Sequence, residues 1–395
     1  MLQESLVIRR LGPIEEVVLS DIKRFNVFIG ESGSGKSTIM KVLAMMRWIY
    51  KMCCVRSYFK NSGIPTPFRF RSDSILSDNG LKHFVRHDSE IVYTYGSFLI
   101  CMKGNHLSFP QKMVEEAQLT LQKIGYISDK RVLIPDLAAG NVTLRHNMFY
   151  LDETFLNYQK AIEVISVEEM KYLGVKMSVR KTTAGRRVIV SSERSGHNSG
   201  FDNLPLTSAS SGMQSSVALH LIAAYFSRSY NIVDAMNSSI IRFLAAGDNL
   251  SKFSTSLNIG SFPYRRISLH LEEPELSLFP SNQWGLMRYL VGECLKADKA
   301  VMDLTMATHS PYILTALNIM MLAHKARRKS PEVYDNLNLD IPELDSSMVG
   351  AWSVADGKCS QLLDTELHMI DGTYLDSTSD EYENLILALN DIIYG

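Results

Sequence analysis

The sequence predicts an α/β protein in which helices flank a mixed central β-sheet that carries an inserted α/β or helical lobe. A short apolar run at 25–29 ends at a glycine, and apolar residues then follow helical spacing from Lys36 to about Lys51. The pattern of Ile267–Leu271 predicts a buried parallel strand. The elements expected after it alternate: a helix at 281–296, a strand at Val301–Ala307 and a helix at Pro311–Ala326.

Composition places the chain among ordinary globular proteins of the cytoplasm. Its 395 residues are 46% apolar and 21% charged, enough for one large domain or a core with an insertion. The net charge of −1 provides no global field toward DNA or membrane. The five cysteines form no C-x-x-C pair, which argues against disulfides and zinc. We expect no signal peptide, and no apolar run reaches the roughly 18 residues of a membrane span.

The remaining elements follow from local patterns. Strand formers around a Gly12-Pro13 turn predict two or three strands within 5–29, and Lys103-Gly104-Asn105 is expected to join hairpin strands at 91–100 and 106–109. Further expectations are helices at 111–124, 152–171, 213–228 and 381–394, and a hairpin within 172–190 turning at Ala184-Gly185. We divide the chain into a core segment at 1–55, a β-subsheet with inserted lobe at 56–200, a motif-bearing part at 201–330 with an insertion at 230–262, and a C-terminal extension at 331–395.

The first motif is a glycine-rich loop between the predicted strand and helix, and it satisfies G-x-x-x-x-G-K-[ST]. Glycines let the backbone wrap so that successive N–H groups point at phosphate oxygens, and the helix N-terminus adds positive potential. Lys36 would reach the β- and γ-phosphates, and Ser37 would bind Mg²⁺. The predicted nucleotide contacts here are Gly30, Glu31, Ser32, Gly33, Ser34, Gly35, Lys36, Ser37 and Thr38.

The second motif is the strand Ile267–Leu271 running into Glu272, Glu273, Pro274 and Glu275. Carboxylates at the C-terminal end of such a strand lie in the crevice where the glycine-rich loop lies. Glu272 would hold Mg²⁺ through water, and Glu273 would polarise the attacking water. An acidic surface turn is the alternative, and the preceding strand argues against it.

Two shorter motifs follow the same logic. Thr308-His309-Ser310 comes directly after the strand Val301–Ala307, so His309 can contact the γ-phosphate, although a single histidine is more often structural. A serine-glycine turn opens the helix at 213–228 and offers hydroxyls and free N–H groups to an anion, or only a helix cap. Its candidate binding residues are Ser210, Ser211, Gly212 and Gln214.

These four motifs in this order resemble those of the ABC-type ATPases. On that resemblance, Walker A is Gly30–Thr38, the signature is Ser210–Gln214, Walker B is Ile267–Glu273, the D-loop is Glu275–Pro280 and the switch histidine is His309. The details are most similar to the SMC, OLD and Septu-type branch, which includes AAA family ATPases of bacterial anti-phage defence. The resembling strings are "GPI" at 12–14, "SSGxQ" at 210–214, "EEPExxLFP" at 272–280 and "THSPY" at 308–312.

The resemblance implies a dimer, because in this family the signature of one subunit completes the nucleotide site of the other. Ser211 and Gly212 would then contact the γ-phosphate of ATP across a homodimer interface, with Mg²⁺ at Ser37 and Glu272. Three features depart from the family. Glu272 replaces the usual Walker B aspartate, no glutamine loop is found although 132–136 lies where one is expected, and the spacing from signature to Walker B is long.

The resemblance leaves the use of the ATP open among three hypotheses. Only about 70 residues follow the helix after His309, too few for the nuclease domain of OLD proteins, so the chain looks like a sensor or scaffold ATPase working with a separate effector, a nuclease or toxin. A DNA-repair or chromosome-maintenance ATPase of the RecF or SMC kind is the alternative. Basic residues on and around the hairpin expected within 172–190 could supply part of its DNA groove, although the neutral overall charge favours a solvated hairpin without that role. These residues are Lys176, Arg180, Lys181, Arg186 and Arg187. A transporter subunit is the third hypothesis, and the missing glutamine loop argues against it.

Overall fold

In the computed structural model, one large mixed sheet forms the centre of the protein, and helices cover it. The structure describes residues 2–61, 70–142, 149–183, 185–193, 200–246, 262–364 and 366–372. Within these ranges the large sheet has 11 strands in the order β6-β5-β4-β1-β2-β15-β14-β3-β13-β12-β7. A second, four-stranded sheet has the order β11-β10-β9-β8. The predicted α/β class with a mixed central sheet is therefore confirmed.

The elements are bounded as follows. The strands are β1 Glu4–Leu11, β2 Ile14–Leu19, β3 Phe25–Ile29, β4 Glu90–Tyr95, β5 Phe98–Lys103, β6 His106–Ser108, β7 Thr120–Ile127, β8 Val167–Met170, β9 Val175–Thr182, β10 Gly185–Ser192, β11 Leu204–Pro205, β12 Tyr264–Glu272, β13 Val301–Thr308, β14 Val349–Ala355, β15 Lys358–Gln361, β16 Leu363–Asp364 and β17 Met369–Ile370. The helices are α1 Lys36–Asn61, α2 Ser72–Asp78, α3 Ile134–Ala139, α4 Phe149–Val164, α5 Ser211–Ala224, α6 Ile232–Ala246, α7 Pro280–Lys296, α8 Pro311–Lys329 and α9 Pro331–Asn336.

Five parallel strands form the part of the sheet that positions the site. β3 pairs with β13 and with β14, and β12 pairs with β13 and with β7, all in parallel. All five residues of β3 are buried, and β12 is buried from Arg266 to its end. Strands buried on both faces need apolar side chains almost throughout, which is why short apolar runs predicted β3, β12 and β13. Their C-terminal ends meet at one edge of the sheet.

Two predicted helices are wrong in part or in whole. The segment predicted as a helix at 111–124 instead enters β7, which pairs in parallel with β12 along its whole length. Thr120, Ile124, Tyr126 and Ile127 are strand formers, and pairing with a buried strand outweighs a short helical spacing. The helix predicted at 152–171 ends at Val164, and β8 follows it.

The predicted hairpins are confirmed with one difference. The strand predicted at 91–100 is two strands, β4 and β5, which pair antiparallel around Gly96 at φ 59°. β5 then pairs with β6 as expected. β9 and β10 form the second hairpin, closing with Thr182 opposite Gly185, while Ala184 lies outside the described residues.

Parts of the chain assigned to lobes or extensions also contribute to the large sheet. β4 to β7 come from the segment 56–200, and β14 and β15 from the segment 331–395. α6 lies in the segment expected to be an insertion, while residues 247–261 and the helix expected at 381–394 are outside the described residues. Among the described helices, none is long and apolar enough to cross a membrane.

A buried ionic cluster joins the glycine-rich loop's helix to the sheet. Arg47 of α1 donates to Glu4 at 2.8 Å and to Asp303 at 3.1 Å, and Arg266 of β12 contacts Glu4 at 2.7 Å and Asp303 at 2.6 Å. Burial opposes the charge on Glu4, but the cations of Arg266 and Arg47 hold its pKa below the usual range. Two cations thus balance two anions, and removing any one would leave an uncompensated buried charge.

Candidate functional site

The glycine-rich loop follows β3 and has the backbone shape that its glycines permit. Gly30 has φ 156°, and a Cβ built on it would lie 2.2 Å from the carbonyl oxygen of Val354 on β14. Gly33 has φ 83°, and a Cβ there would meet no atom within 4 Å, so this part of the loop borders open space. One glycine therefore allows the loop to lie against the sheet, and the other keeps its outer face open to a ligand.

Lys36 is the first residue of α1, and its ammonium folds back over the loop. Nζ donates to the carbonyl oxygens of Gly30 at 2.7 Å and Glu31 at 2.8 Å. Burial lowers the pKa of Lys36, although the carboxylates of Glu273 and Glu275 act in the opposite direction. The side chain is thus held at the loop, where a phosphate chain would replace the carbonyls as its partner.

Two features of the loop fit a bound phosphate. The Ser34 hydroxyl is buried and, among the described residues, finds no hydrogen-bond partner. A buried hydroxyl without a partner is costly, and a phosphate oxygen would satisfy it. The loop also continues into the 26-residue helix α1, whose N-terminus attracts negative charge.

Glu272 is the last residue of β12, and hydrogen bonds fix its carboxylate. The Tyr126 hydroxyl donates to Oε1 at 2.7 Å, and the backbone N–H of Asp129 donates to Oε2 at 3.4 Å. Only 7% of the residue is exposed, and it lines the same cavity as the glycine-rich loop. A carboxylate tied in this way fits indirect binding of Mg²⁺ through water better than direct coordination.

Glu273 turns out of the strand into the cavity. Its backbone has φ 43°, which is uncommon for a residue with a side chain, and its N–H donates to the carbonyl oxygen of Ala307 at 2.8 Å. Oε1 lies 3.6 Å from Nε2 of His309, and both side chains are more than a third exposed. The strained backbone aims a solvent-accessible carboxylate at His309, and strain of this kind is concentrated at functional sites.

Arg131 is a residue of this site that the motifs did not reveal. It is fully buried, and its guanidinium donates to the carbonyl oxygens of Glu272 at 2.6 Å and Glu273 at 2.5 Å. Burial lowers its pKa to about 10. Arg131 therefore fixes the backbone of the acidic turn from the short helical turn Asp129–Leu133, which follows β7. The sequence offered one signal for it. The segment 132–136, where the family's glutamine loop is expected, begins one residue after Arg131.

Glu275 is a second residue with a positioning role. Its Oε1 accepts hydrogen bonds from the Thr308 hydroxyl at 2.7 Å and from the backbone N–H of His309 at 2.8 Å. The other oxygen is buried without a partner among the described residues. The sequence placed Glu275 in the acidic motif and at the start of the D-loop, and the structure shows that it joins the acidic motif to the histidine.

One cavity of about 330 Å³ brings three of the four motifs together. It is lined by Pro13, Ser32, Gly33, Gly35, Lys36, Ser37, Thr38, Phe84, Glu272, Glu273, Ala307 and His309. A larger groove of about 850 Å³ lies around Trp352 and contains none of the motif residues, so size alone does not identify the site. The smaller cavity, called the loop cleft below, is the candidate functional site because the glycine-rich loop and two carboxylates converge there.

The serine-glycine turn is not part of the loop cleft. Ser210 caps α5, with its hydroxyl 3.4 Å from the N–H of Met213, and both Ser210 and Ser211 are exposed. Gly212 is buried, and a Cβ there would lie 2.5 Å from the carbonyl oxygen of Ser277. The start of α5 therefore packs on the turn that follows Glu273 while its serines face outward. Gln214 donates internally to the carbonyl oxygen of Thr207 at 3.0 Å.

Searches for a metal-binding cluster and for related protein families gave no match. In the described part of the chain, no group of three His, Cys, Asp or Glu side chains could hold a metal ion. No protein-family model matches the sequence, and no curated protein matches it significantly.

Comparison with solved structures finds distant similarities that cover most of the chain. An SMC head domain from Pyrococcus furiosus, bound to the C-terminal domain of ScpA, is 8% identical, with 97% of this chain and 99% of that chain covered at a TM-score of 0.40. The SMC head domain from Thermotoga maritima is 11% identical, with 91% and 98% covered at a TM-score of 0.36. A dimeric ATP-binding cassette bound to ADP and Pi is 11% identical, with 90% and 98% covered at a TM-score of 0.30. Similarities at these TM-scores assign no function to the chain.

Proposed function

We propose that the chain is an ATPase that binds ATP with Mg²⁺ in the loop cleft and hydrolyses it. The observation that supports this most strongly is the convergence of Lys36, Glu273 and His309 on one cavity. These residues come from three separate strand ends, and each supplies one function that phosphoryl transfer needs. Release of phosphate from ATP by the purified chain, dependent on Mg²⁺, tests the proposal directly.

Each residue has a distinct task in this reaction. Lys36 and the loop N–H groups neutralise the β- and γ-phosphates, and Ser37 and Glu272 are the residues that would hold Mg²⁺. The metal would supply neutralisation of charge between the phosphates. Glu273 orients and polarises the attacking water, and His309, 3.6 Å away, lies beside the place of the γ-phosphate.

We propose further that two copies of the chain close around two ATP molecules. Ser210 and Ser211 are exposed at the start of α5, outside the loop cleft of their own chain, so they are accessible to the cleft of a second copy. A helix N-terminus with free hydroxyls suits a γ-phosphate presented by a partner. The site is then complete only in the dimer.

Ser211→Arg should block ATP-driven dimerisation. The long cation would occupy the space that a partner's loop must enter, and we expect the dimer dissociation constant to rise at least about tenfold. Light scattering coupled to size exclusion, with a non-hydrolysable ATP analogue and Mg²⁺, measures this. Ser229→Arg introduces the same side chain at an exposed position 18 residues later and should leave dimerisation unchanged. Equal dimerisation of the Ser211→Arg protein would refute the shared site.

The use of the ATP is proposed from the sequence resemblance alone. The "SSGxQ", "EEPExxLFP" and "THSPY" strings favour a sensor or scaffold ATPase of an anti-phage defence system that works with a separately encoded effector. Co-purification of the chain with a nuclease or toxin encoded beside it is the observation that would support this role.

Binding of DNA is the second candidate function, and a feature of the β9–β10 hairpin favours it. Arg180 lies directly opposite Arg187, and Lys181 lies directly opposite Arg186. Like charges placed opposite each other destabilise a hairpin, so two such pairs suit a surface that contacts a polyanion. Arg180 also bonds Asn203, and Arg186 lies 3.9 Å from Glu163, so these two cations are partly engaged within the chain.

The double variant Lys181→Ala/Arg187→Ala should weaken salt-dependent binding of duplex DNA. Two fewer phosphate contacts should reduce the slope of log K against log salt by about 2. Fluorescence anisotropy with a 30-base-pair duplex at several salt concentrations measures the slope. Lys325→Ala/Arg328→Ala removes the same charges from α8 and should leave the slope unchanged. This function would be rejected if the native chain does not bind DNA, or if the hairpin variant binds it with an unchanged salt dependence.

A further inference from the structure

A second cavity, of about 460 Å³, lies at the outer edge of the large sheet and shares no lining residue with the loop cleft. β7 is the last strand of the sheet, and the cavity lies along its first half between α1 and α6. Its lining consists of Lys51, Val55, Thr120, Leu121, Gln122, Lys123, Lys160, Tyr225, Tyr230, Asn231, Ile232, Asp234, Ala235, Met236, Ser238 and Ser239. The volume is in the range of small-molecule sites.

Gln122 points to a ligand. The residue is 2% exposed, and neither the oxygen nor the nitrogen of its side-chain amide has a hydrogen-bond partner among the described residues. A buried amide with both ends unpartnered carries the full cost of desolvation. An amide offers a donor and an acceptor side by side, which is the pattern that a heterocyclic base edge complements.

Three lysines give the cavity a positive charge. Lys51, Lys123 and Lys160 line it, against the single lining carboxylate of Asp234, which accepts from Asn231 at 2.7 Å. Burial, with the nearby charge of Lys123, lowers the pKa of Lys51 to about 8. A bound anion would remove this cost and keep Lys51 charged.

The described residues compensate the charges of the cavity only in part. Lys123 contacts Glu153 of α4 at 3.0 Å, and its ammonium lies 5.6 Å from the centre of the Phe226 ring. Among the described residues, one of the three cations is therefore in an ion pair, and Glu153 also acts on Lys51 from a greater distance. The other two leave the cavity with room for an anionic group.

Two aromatic rings complete the cavity. Tyr225 is the first residue of the π-helical turn after α5, and Tyr230 comes directly after that turn. Their ring centres are 5.8 Å apart at an interplanar angle of 67°. Such rings offer a face on which a planar base can stack.

We propose that this cavity is a second ligand site, distinct from the loop cleft, that binds a nucleotide carrying a single phosphate. Lys51 and Lys160 would bind the phosphate, Gln122 would pair with the base edge, and the tyrosines would contact the base face. The site is independent of the proposed ATPase activity because the two cavities have no residue in common.

The test uses isothermal titration of the full chain, first saturated with ADP and Mg²⁺ so that the loop cleft is filled. AMP, GMP, CMP, UMP and inorganic phosphate are the probes. We expect at least one monophosphate to bind saturably. Lys51→Met and Gln122→Leu should each raise its dissociation constant about tenfold. Lys41→Met is the control, on the same helix as Lys51 but beside Tyr150, and should change that constant by less than about twofold.

Each contrary outcome is decisive. Absence of saturable binding by all four monophosphates would overturn the proposal, as would unchanged affinity in Lys51→Met. Inorganic phosphate binding as tightly as the best monophosphate, or unchanged affinity in Gln122→Leu, would overturn base recognition. Gln122→Leu should also raise the melting temperature of the free protein, since it removes an unpartnered buried amide, and this shows that the variant folds. If ADP fails to bind the loop cleft while a monophosphate binds here, the ATPase proposal fails and the second site stands.

Discussion

Lys36→Ala is expected to abolish nucleotide binding, with an ATP dissociation constant at least about a hundredfold higher than that of the native chain. Charge-assisted hydrogen bonds to phosphate contribute about 1.5–3 kcal/mol each, and Lys36 would reach two phosphates. The side chain already sits over the loop, bonded to the carbonyl oxygens of Gly30 and Glu31, so little reorganisation precedes binding. Titration with a fluorescent ATP analogue measures the loss.

The control for this variant lies five residues later on the same helix. Lys41 contacts the ring of Tyr150 at 5.8 Å and does not line the loop cleft, so Lys41→Ala should bind ATP with unchanged affinity. Circular dichroism shows whether Lys36→Ala keeps the helix content of the native chain, since the lysine also bonds two loop carbonyls. Unchanged ATP affinity in a folded Lys36→Ala protein would show that the glycine-rich loop is not a phosphate cradle.

Sequence patterns predicted the parallel centre of the fold better than its edges. β3, β12 and β13 are short runs with buried apolar positions, and the helices after them begin at clear signals such as Pro280 and Pro311. β7 was mistaken for a helix because its position is decided by pairing with β12, a contact about 140 residues away in sequence. Patterns within a short window carry no information about such a partner.

The sequence predicted those residues of the candidate site that belong to motifs with a fixed spacing along the chain. The glycine-rich loop, the acidic turn and His309 were found as motifs, and the structure places them in one cavity. Arg131 and Tyr126 were not found, because they act on Glu272 from the turn after β7 and from β7 itself, and a buried arginine or a tyrosine hydroxyl has no signature in sequence. The place of the serine-glycine turn in a shared site stays a prediction, since only a second chain can complete it.

Glu273→Gln is expected to retain ATP while losing turnover by at least about a hundredfold. Glutamine has the shape of glutamate and can still line the cleft, but it cannot polarise or accept a proton from the attacking water, a contribution of about 10²–10⁴ in rate. The backbone at φ 43° and its hydrogen bond to Ala307 do not depend on the carboxylate, so the turn should keep its geometry. The substitution also removes a negative charge near Lys36 that would repel the phosphates, so it should not weaken ATP binding.

The outcome separates two roles for Glu273. If it positions water, the Glu273→Gln protein binds ATP normally, accumulates as the ATP-bound dimer and releases phosphate slowly in single-turnover measurements, while Glu332→Gln on exposed α9 behaves as the native chain. If Glu273 instead only holds His309 through their 3.6 Å contact, glutamine can substitute by donating or accepting a hydrogen bond and turnover stays near the native value. Native turnover would thus remove Glu273 from catalysis and leave it as a support for the histidine.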